Sequence, residues 1–386
     1  MPVNKKILIP VFIFIEITGC IEPFMPKIDE SQESLVIESQ ITDQEGPHYI
    51  HISRSANFND PYKIPEQDCL VEVINNKGNI FQFYESEPGL YETWMEQKYL
   101  TLGTQYKLQV TTADGNEYQS DYELLLSPSP PVDSIYYELE IRETYDPDFP
   151  IYGIQFYIDL DATNDFARNY RWELEETWEY HSGYWIQYYY DGTLHNMENP
   201  FLLYFCWRTE PIRKIYTATT RYSTSNKIKK YPLLYVSNQS NRLAIKYSLL
   251  IKQYSLSNAA YDYWDQLKKQ NQESGGLYET QPARVRGNIS NINDPGEEVL
   301  GFFYISSVTK KRIFVTGPFN FHFPGAQCKL DTIGRDNPLH SYTTYPVYLI
   351  SLSDLGQGPP YATGKGGICF DCTAGGGTTT KPDFWE

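Results

Sequence analysis

The chain has 386 residues, a formal net charge of −17 and 16% aromatic residues, including 34 tyrosines. Such acidity repels phosphate backbones and excludes nucleic acid as a partner. The length allows two domains and a substantial core. The tyrosines favour strands and broad contact surfaces, without choosing between core packing and ligand stacking.

The N-terminus reads as a targeting segment. Lys5 and Lys6 precede an apolar run, Ile7–Ile15, broken by Pro10 and followed by Glu16-Ile17-Thr18-Gly19-Cys20. A basic start, a short apolar stretch and small residues at the end mark a secretory signal. The run is too short to span a bilayer core of about 30 Å, which takes about 20 apolar residues. Ile17-Thr18-Gly19-Cys20 resembles a lipobox, in which small residues admit the peptidase and the thiol takes the lipid. Residues 1–19 are thus expected to be a lipoprotein signal peptide, and Cys20 the lipidated residue that holds the chain to a membrane. An ordinary cleaved signal peptide and a membrane-spanning anchor are the alternatives. Residues 20–33, polar and proline-bearing, read as a tether.

From Ser34 the pattern turns to short strands. Leu35–Ile41, His48–Arg54, Cys69–Ile74, Asn79–Tyr84, Gly89–Trp94 and Thr104–Thr111 are separated by Gly, Asn, Asp and Pro turns. Strands so spaced predict an antiparallel sandwich, immunoglobulin-like or transthyretin-like, over residues 34–126. Ser127-Pro128-Ser129-Pro130-Pro131 predicts a stiff linker, 127–133, and a domain boundary. Residues 134–362 read as a larger antiparallel β-domain. One helix interrupts it near 257–271, with apolar Ala260, Tyr263, Trp264 and Leu267 on one face, Ser257 as cap and Gly275-Gly276 as stop. Residues 363–386 form a Gly/Thr-rich tail with little to build a core. The fold class expected is mainly β, two domains with one inserted helix.

Five cysteines follow Cys20: Cys69, Cys206, Cys328, Cys369 and Cys372. An exported chain can form disulfides, and an odd number leaves at least one thiol unpaired within the chain. Cys369-Phe370-Asp371-Cys372 lacks the second ligand pair of a zinc site and the βαβ setting of a thioredoxin motif. A local Cys369–Cys372 bridge, or pairing of one of the two with Cys206 or Cys328, is expected instead. No metal and no cofactor are expected.

The run Tyr184-Trp185-Ile186-Gln187-Tyr188-Tyr189-Tyr190 is a candidate contact surface for a partner, a small molecule or a glycan, or else packs on its own sheet. No hydrolase elbow, zinc-protease motif or P-loop is present. Glu173, Glu175, Glu176 and Glu179 could mimic a glycosidase pair but read more simply as a solvated face. His48 and His51 lie three apart on a strand, on opposite faces, and make a poor metal pair.

Several segments occur in a characteristic order: Leu35-Val36-Ile37-Glu38, Ile41-Thr42-Asp43, Ile52-Ser53-Arg54-Ser55, Tyr261-Asp262-Tyr263-Trp264, Gly275-Gly276-Leu277, Val285-Arg286-Gly287-Asn288-Ile289, Val299-Leu300-Gly301-Phe302-Phe303, and the ending from Cys369 to Trp385. Together they resemble the Bacteroidota lipoprotein family catalogued as domain of unknown function 4249, over nearly the whole mature chain. The tail departs from the family in carrying Thr373-Ala374 where a basic residue often follows the second cysteine. The resemblance implies a non-catalytic accessory or binding lipoprotein beside a TonB-dependent outer-membrane transporter. Glu22, Asp29 and Glu30, close after Cys20, are similar to the signal that carries such lipoproteins to the cell surface; the periplasmic face is the alternative. The other functional expectations are a structural subunit of an outer-membrane assembly or export complex and a surface glycan hydrolase.

Overall fold

The computed structural model describes residues 34–55, 63–163, 166–272, 285–323, 328–356 and 361–386. The expected signal peptide, Cys20, the tether and the Gly275-Gly276 helix stop lie outside the described residues. The chain is mainly β, with several sheets and one α-helix.

The first strands are β1 (Leu35–Thr42), β2 (Gly46–Arg54), β3 (Ile64–Pro65), β4 (Leu70–Asn75) and β5 (Ile80–Glu87). Next come β6 (Leu90–Met95), β7 (Gln105–Thr111), β8 (Glu117–Ser120) and β9 (Glu123–Leu124). Period-2 alternation builds them: Leu35, Ile37 and Ile41 on β1, and Ile50 and Ile52 on β2, point to one core. The next set is β10 (Ser134–Arg142), β11 (Ile151–Ala162), β12 (Asn169–His181), β13 (Tyr188–Tyr190) and β14 (Leu194–Asn196). Then come β15 (Phe205–Thr219), β16 (Asn226–Ser237), β17 (Lys246–Ser255) and the helix α1 (Asn258–Gln272). The chain ends with β18 (Ile289–Asn291), β19 (Val299–Ser306), β20 (Val308–Thr316), β21 (Lys329–Thr332), β22 (Val347–Ser351) and β23 (Tyr361–Lys365).

The expected first sandwich does not close on residues 34–126. Its sheet runs β18-β8-β7-β4-β5-β6-β2-β1-β19, so two strands from beyond the helix complete it. β19 pairs with β1 in parallel, Leu35 opposite Val299 through Thr42 opposite Ser306, where an all-antiparallel sheet was expected. The cause is its apolar character on both faces, as suits a strand covered on both sides. Phe303 and Ile305 enter the first core, while Phe302 and Tyr304 meet the helix cluster. The two ends of the sheet meet where Asn288 bonds the Phe303 backbone through both its amide atoms, each at 2.8 Å. Gly301 is required at this seam: its φ is +113°, and a Cβ there would sit 2.0 Å from the Ile37 carbonyl oxygen.

The proline-rich segment, expected as a stiff linker, is a strap held against the neighbouring strands. Ser129 Oγ donates to the Gln253 carbonyl (3.1 Å), Gln253 Nε2 donates to the Pro130 carbonyl (2.8 Å), and Lys311 Nζ donates to the Asp133 carbonyl (2.7 Å). Prolines carry no N–H and cannot join a strand ladder, so the strap's carbonyls accept instead from the side chains of Gln253 and Lys311.

Beyond the strap, sheet β10-β11-β16 faces sheet β15-β12-β17-β20 around a second core centred on Phe156, Trp172, Tyr216 and Tyr247. A third unit, β14-β13-β22-β23-β21, has a small core of its own. Helix α1 is capped by Ser257, whose Oγ accepts from the Ala260 amide at 3.1 Å. Ala260 and Tyr261 pack with Tyr254, Phe302 and Tyr304, so the helix joins the first sheet to the second region.

The tail also departs from expectation. Trp385 is buried, and its Nε1 donates to Glu179 at 3.2 Å. Tyr180 OH donates to the Cys372 carbonyl (2.7 Å) and accepts from the Gly377 amide (2.9 Å). A Cβ at Gly377 would lie 2.5 Å from that hydroxyl, so glycine here permits close packing rather than looseness. Among the described residues no helix is long and apolar enough to cross a membrane.

Candidate functional site

Four cysteines pair over long distances. Cys206 bonds Cys372 across 166 residues, and Cys328 bonds Cys369 across 41. The local Cys369–Cys372 bridge is thereby corrected: the two thiols lie on successive 3-10 turns and serve different strands. One bond ties the tail to β15, the other ties β21 to the same tail. Among the described residues Cys69 is the free cysteine, and burial raises its thiol pKa to about 11.

The aromatic run from Tyr184 does not form one surface. Tyr184 and Trp185 pack around Ile186 and Phe370. On β13, Tyr188 meets Tyr361 edge-on at 5.1 Å, Tyr189 stacks on His195 at 4.8 Å, and Tyr190 lies 5.8 Å from Tyr345. Successive residues of a strand face opposite sides, which divides the rings. All five are half-buried.

The glutamates of β12 divide in the same way. Glu176 shares the core face with Leu174 and Trp178, where Arg242 Nη1 donates to both its oxygens (2.7 and 2.9 Å) and Tyr247 OH donates at 2.8 Å. Glu173, Glu175 and Glu179 lie on the other face, paired with Arg171, Arg312 and His181. No two of them face each other across a cleft as a free carboxyl pair. His48 is buried and bonded to the Gln44 carbonyl, while His51 is exposed. Among the described residues no group of three or more His, Cys, Asp or Glu is arranged to hold a metal.

What the fold does bring together is a groove between the first sheet and the second region. It is a cleft of about 640 Å³, walled by Glu38, Tyr49 and His51 on one side and by Arg171, Glu173, Tyr254, Tyr263 and Trp264 on the other. Arg171 is held in place in it, beside Glu173 and Lys252. Its guanidinium lies 3.8 Å from the Trp264 ring centroid, Nη1 donates to Tyr304 OH (2.9 Å), and Nη2 meets Glu173 Oε1 (2.7 Å). Tyr254 OH donates to the other Glu173 oxygen at 2.8 Å. The buried Nε of Arg171 has no acceptor among the described residues. Burial raises the pKa of Tyr263 to about 12 and lifts Tyr254 and Tyr304 further, so all three stay neutral hydroxyls at physiological pH. A neutral phenol can donate and accept; the groove therefore offers flat rings, hydroxyls and the cations Arg171, Lys252 and Lys310 as recognition groups. No sequence signal marked it, because its residues come from β1, β2, β12, β17, α1 and β19.

A family model described as Domain of unknown function (DUF4249) matches residues 21–312. The chain belongs to this family. The match leaves 313–386 outside, so the C-terminal cysteines from Cys328 onward are beyond it, and the likeness spans less of the chain than the ordered segments implied. No curated protein matches. Among solved structures the chain is similar to trypsin-activated alpha-2-macroglobulin from Escherichia coli, at 8% identity and a TM-score of 0.18. That likeness covers 59% of this chain and 15% of the other.

Proposed function

We propose that this DUF4249 protein is an exported, lipid-anchored outer-membrane protein that binds rather than converts its ligand, working beside a TonB-dependent transporter at the cell surface. The observation that carries the export reading is the pair of long-range disulfides, which form and persist in oxidising compartments. The lipobox-like Ile17-Thr18-Gly19-Cys20 supports it, and so does the start of the family match at residue 21, directly after Cys20. Binding is favoured by the groove's chemistry: a held guanidinium and neutral phenols orient a ligand and supply no activated nucleophile. The transporter association comes from the family resemblance.

The test is purification from mildly solubilised native outer membranes. The expected result is an outer-membrane β-barrel transporter recovered with the chain in stoichiometric amount, and loss of the chain itself from the membrane fraction in a Cys20→Ala strain. Recovery of the chain alone, or of wild type in the soluble fraction, overturns the proposal.

A further inference from the structure

The outward face of the first sheet carries a second constellation, which extends from the groove wall at Tyr49 across β6 and β5. Trp94 is 62% exposed, Tyr84 64% and Tyr49 44%. The register orders them: Tyr84 on β5 lies opposite Glu92 on β6, Glu92 lies opposite Tyr49 on β2, and Trp94 lies opposite Pro47. Tyr84 and Tyr49 are two strand spacings apart, about 10 Å. Trp94 follows two residues after Glu92 on the same face.

Beside these rings runs a ladder of planar polar side chains. Gln119, Gln109, Glu72 and Gln82 are opposite one another across β8, β7, β4 and β5, and Gln109 Nε2 donates to Gln119 Oε1 at 3.2 Å. Between ladder and rings is a shallow cleft of about 530 Å³, lined by Glu72, Gln82, Tyr84, Trp94, Glu96 and Tyr99. An outward sheet face needs polar residues only. Here it carries large flat rings alternating with amide and carboxylate groups that can each bond hydroxyls.

We propose that this face binds an extended, neutral glycan chain. Sugar rings present an apolar C–H face to an aromatic plane and a rim of hydroxyls to neighbouring polar groups; Trp94, Tyr84 and Tyr49 supply the planes, and Gln82, Glu72 and Glu92 the rim. The charge selects among occupants. Glu72, Glu92 and Glu96 are interleaved with the rings; Lys98 is held by Glu96 at 2.9 Å, and Lys107, on the same face two residues from Gln109, lies over the Tyr122 ring. Phosphates, uronic acids and anionic membrane surfaces are repelled by that face. A protein partner burying it would strip water from the carboxylates, at a cost that a hydroxyl-rich ligand avoids by bonding them. This goes beyond the anchoring proposal and does not depend on it.

The experiment is affinity electrophoresis of the detergent-extracted full chain in gels containing mixed-linkage β-glucan, xylan, galactomannan or starch, with polygalacturonate as the anionic control. Retardation by at least one neutral polysaccharide and none by polygalacturonate is expected. Trp94→Ala is expected to weaken the retarding interaction at least about tenfold, as loss of a central aromatic anchor does. Tyr84→Ala weakens it less, and Trp185→Ala leaves it unchanged. All three positions are on or near the surface, and unchanged thermal unfolding confirms that each variant is folded. No retardation by any neutral polysaccharide, equal retardation by polygalacturonate, or retardation that survives Trp94→Ala overturns the proposal.

Discussion

The first sheet and the disulfide lobe solve the same problem by opposite means. Twenty buried apolar residues from β1 to β19 fill the core of the first sheet, whose one cysteine, Cys69, is free. The lobe built on β13, β14, β21, β22 and β23 has four buried residues in its core among the described residues, and two disulfides anchor it. Small units that cannot bury enough apolar surface need covalent staples. The first sheet is thus stabilised by apolar burial, and the lobe's stability depends on an oxidising compartment.

The largest effects should come from breaking the staples. By loop entropy, losing Cys206–Cys372 (Cys206→Ser with Cys372→Ser) is expected to cost about 5 kcal/mol, and losing Cys328–Cys369 about 4 kcal/mol. Hydrogen exchange under reductant should show β13, β22 and β23 losing protection while β1 and β7 keep theirs. Simultaneous loss in both regions would break the comparison.

The second region tests whether polar burial matters as much. Arg242→Met leaves Glu176 buried without its cation and is expected to destabilise by about 3–5 kcal/mol in urea unfolding. The double change Glu176→Met with Arg242→Met should recover most of that.

A smaller effect sits where the first sheet meets the helix. Burial raises the Glu123 carboxyl pKa to about 7, opposed by a hydrogen bond from Ser257. A carboxyl raised in the folded state favours folding while protonated, so this contribution is full below its unfolded pKa, near 4.5, and is lost as pH rises through 7. Glu123→Gln should raise the melting temperature at pH 8 and leave it unchanged near pH 4. The smallest effect concerns Cys69: with its pKa at about 11 it should alkylate far more slowly at pH 7.5 than an exposed thiol, and Cys69→Ser should shift stability by less than about 0.5 kcal/mol.

Much of the β architecture was legible because alternation is local. Leu35, Ile37 and Ile41 declare their face without help from elsewhere, and α1 declares itself through Ala260, Tyr263 and Trp264. The pairing of β19 with β1 was not legible, since a run apolar on both faces does not name its neighbour. The strap and the tail were misjudged for a related reason: prolines and glycines read as punctuation, yet here they allow close backbone packing against Gln253 and Tyr180. The groove and the ring-bearing face depend on cross-strand register, which composition does not encode. Pairing of Cys369 or Cys372 with Cys206 or Cys328 was legible as an alternative, and choosing it over a local bridge needed the fold.

The most direct test of the export claim is the intact mass of the protein extracted from its native membrane. The predicted result is loss of residues 1–19, a diacylglyceryl group on Cys20, and a mass four hydrogens below the fully reduced chain for the two disulfides. An unmodified Cys20, a retained Met1 N-terminus, or free thiols at Cys206, Cys328, Cys369 and Cys372 would contradict it.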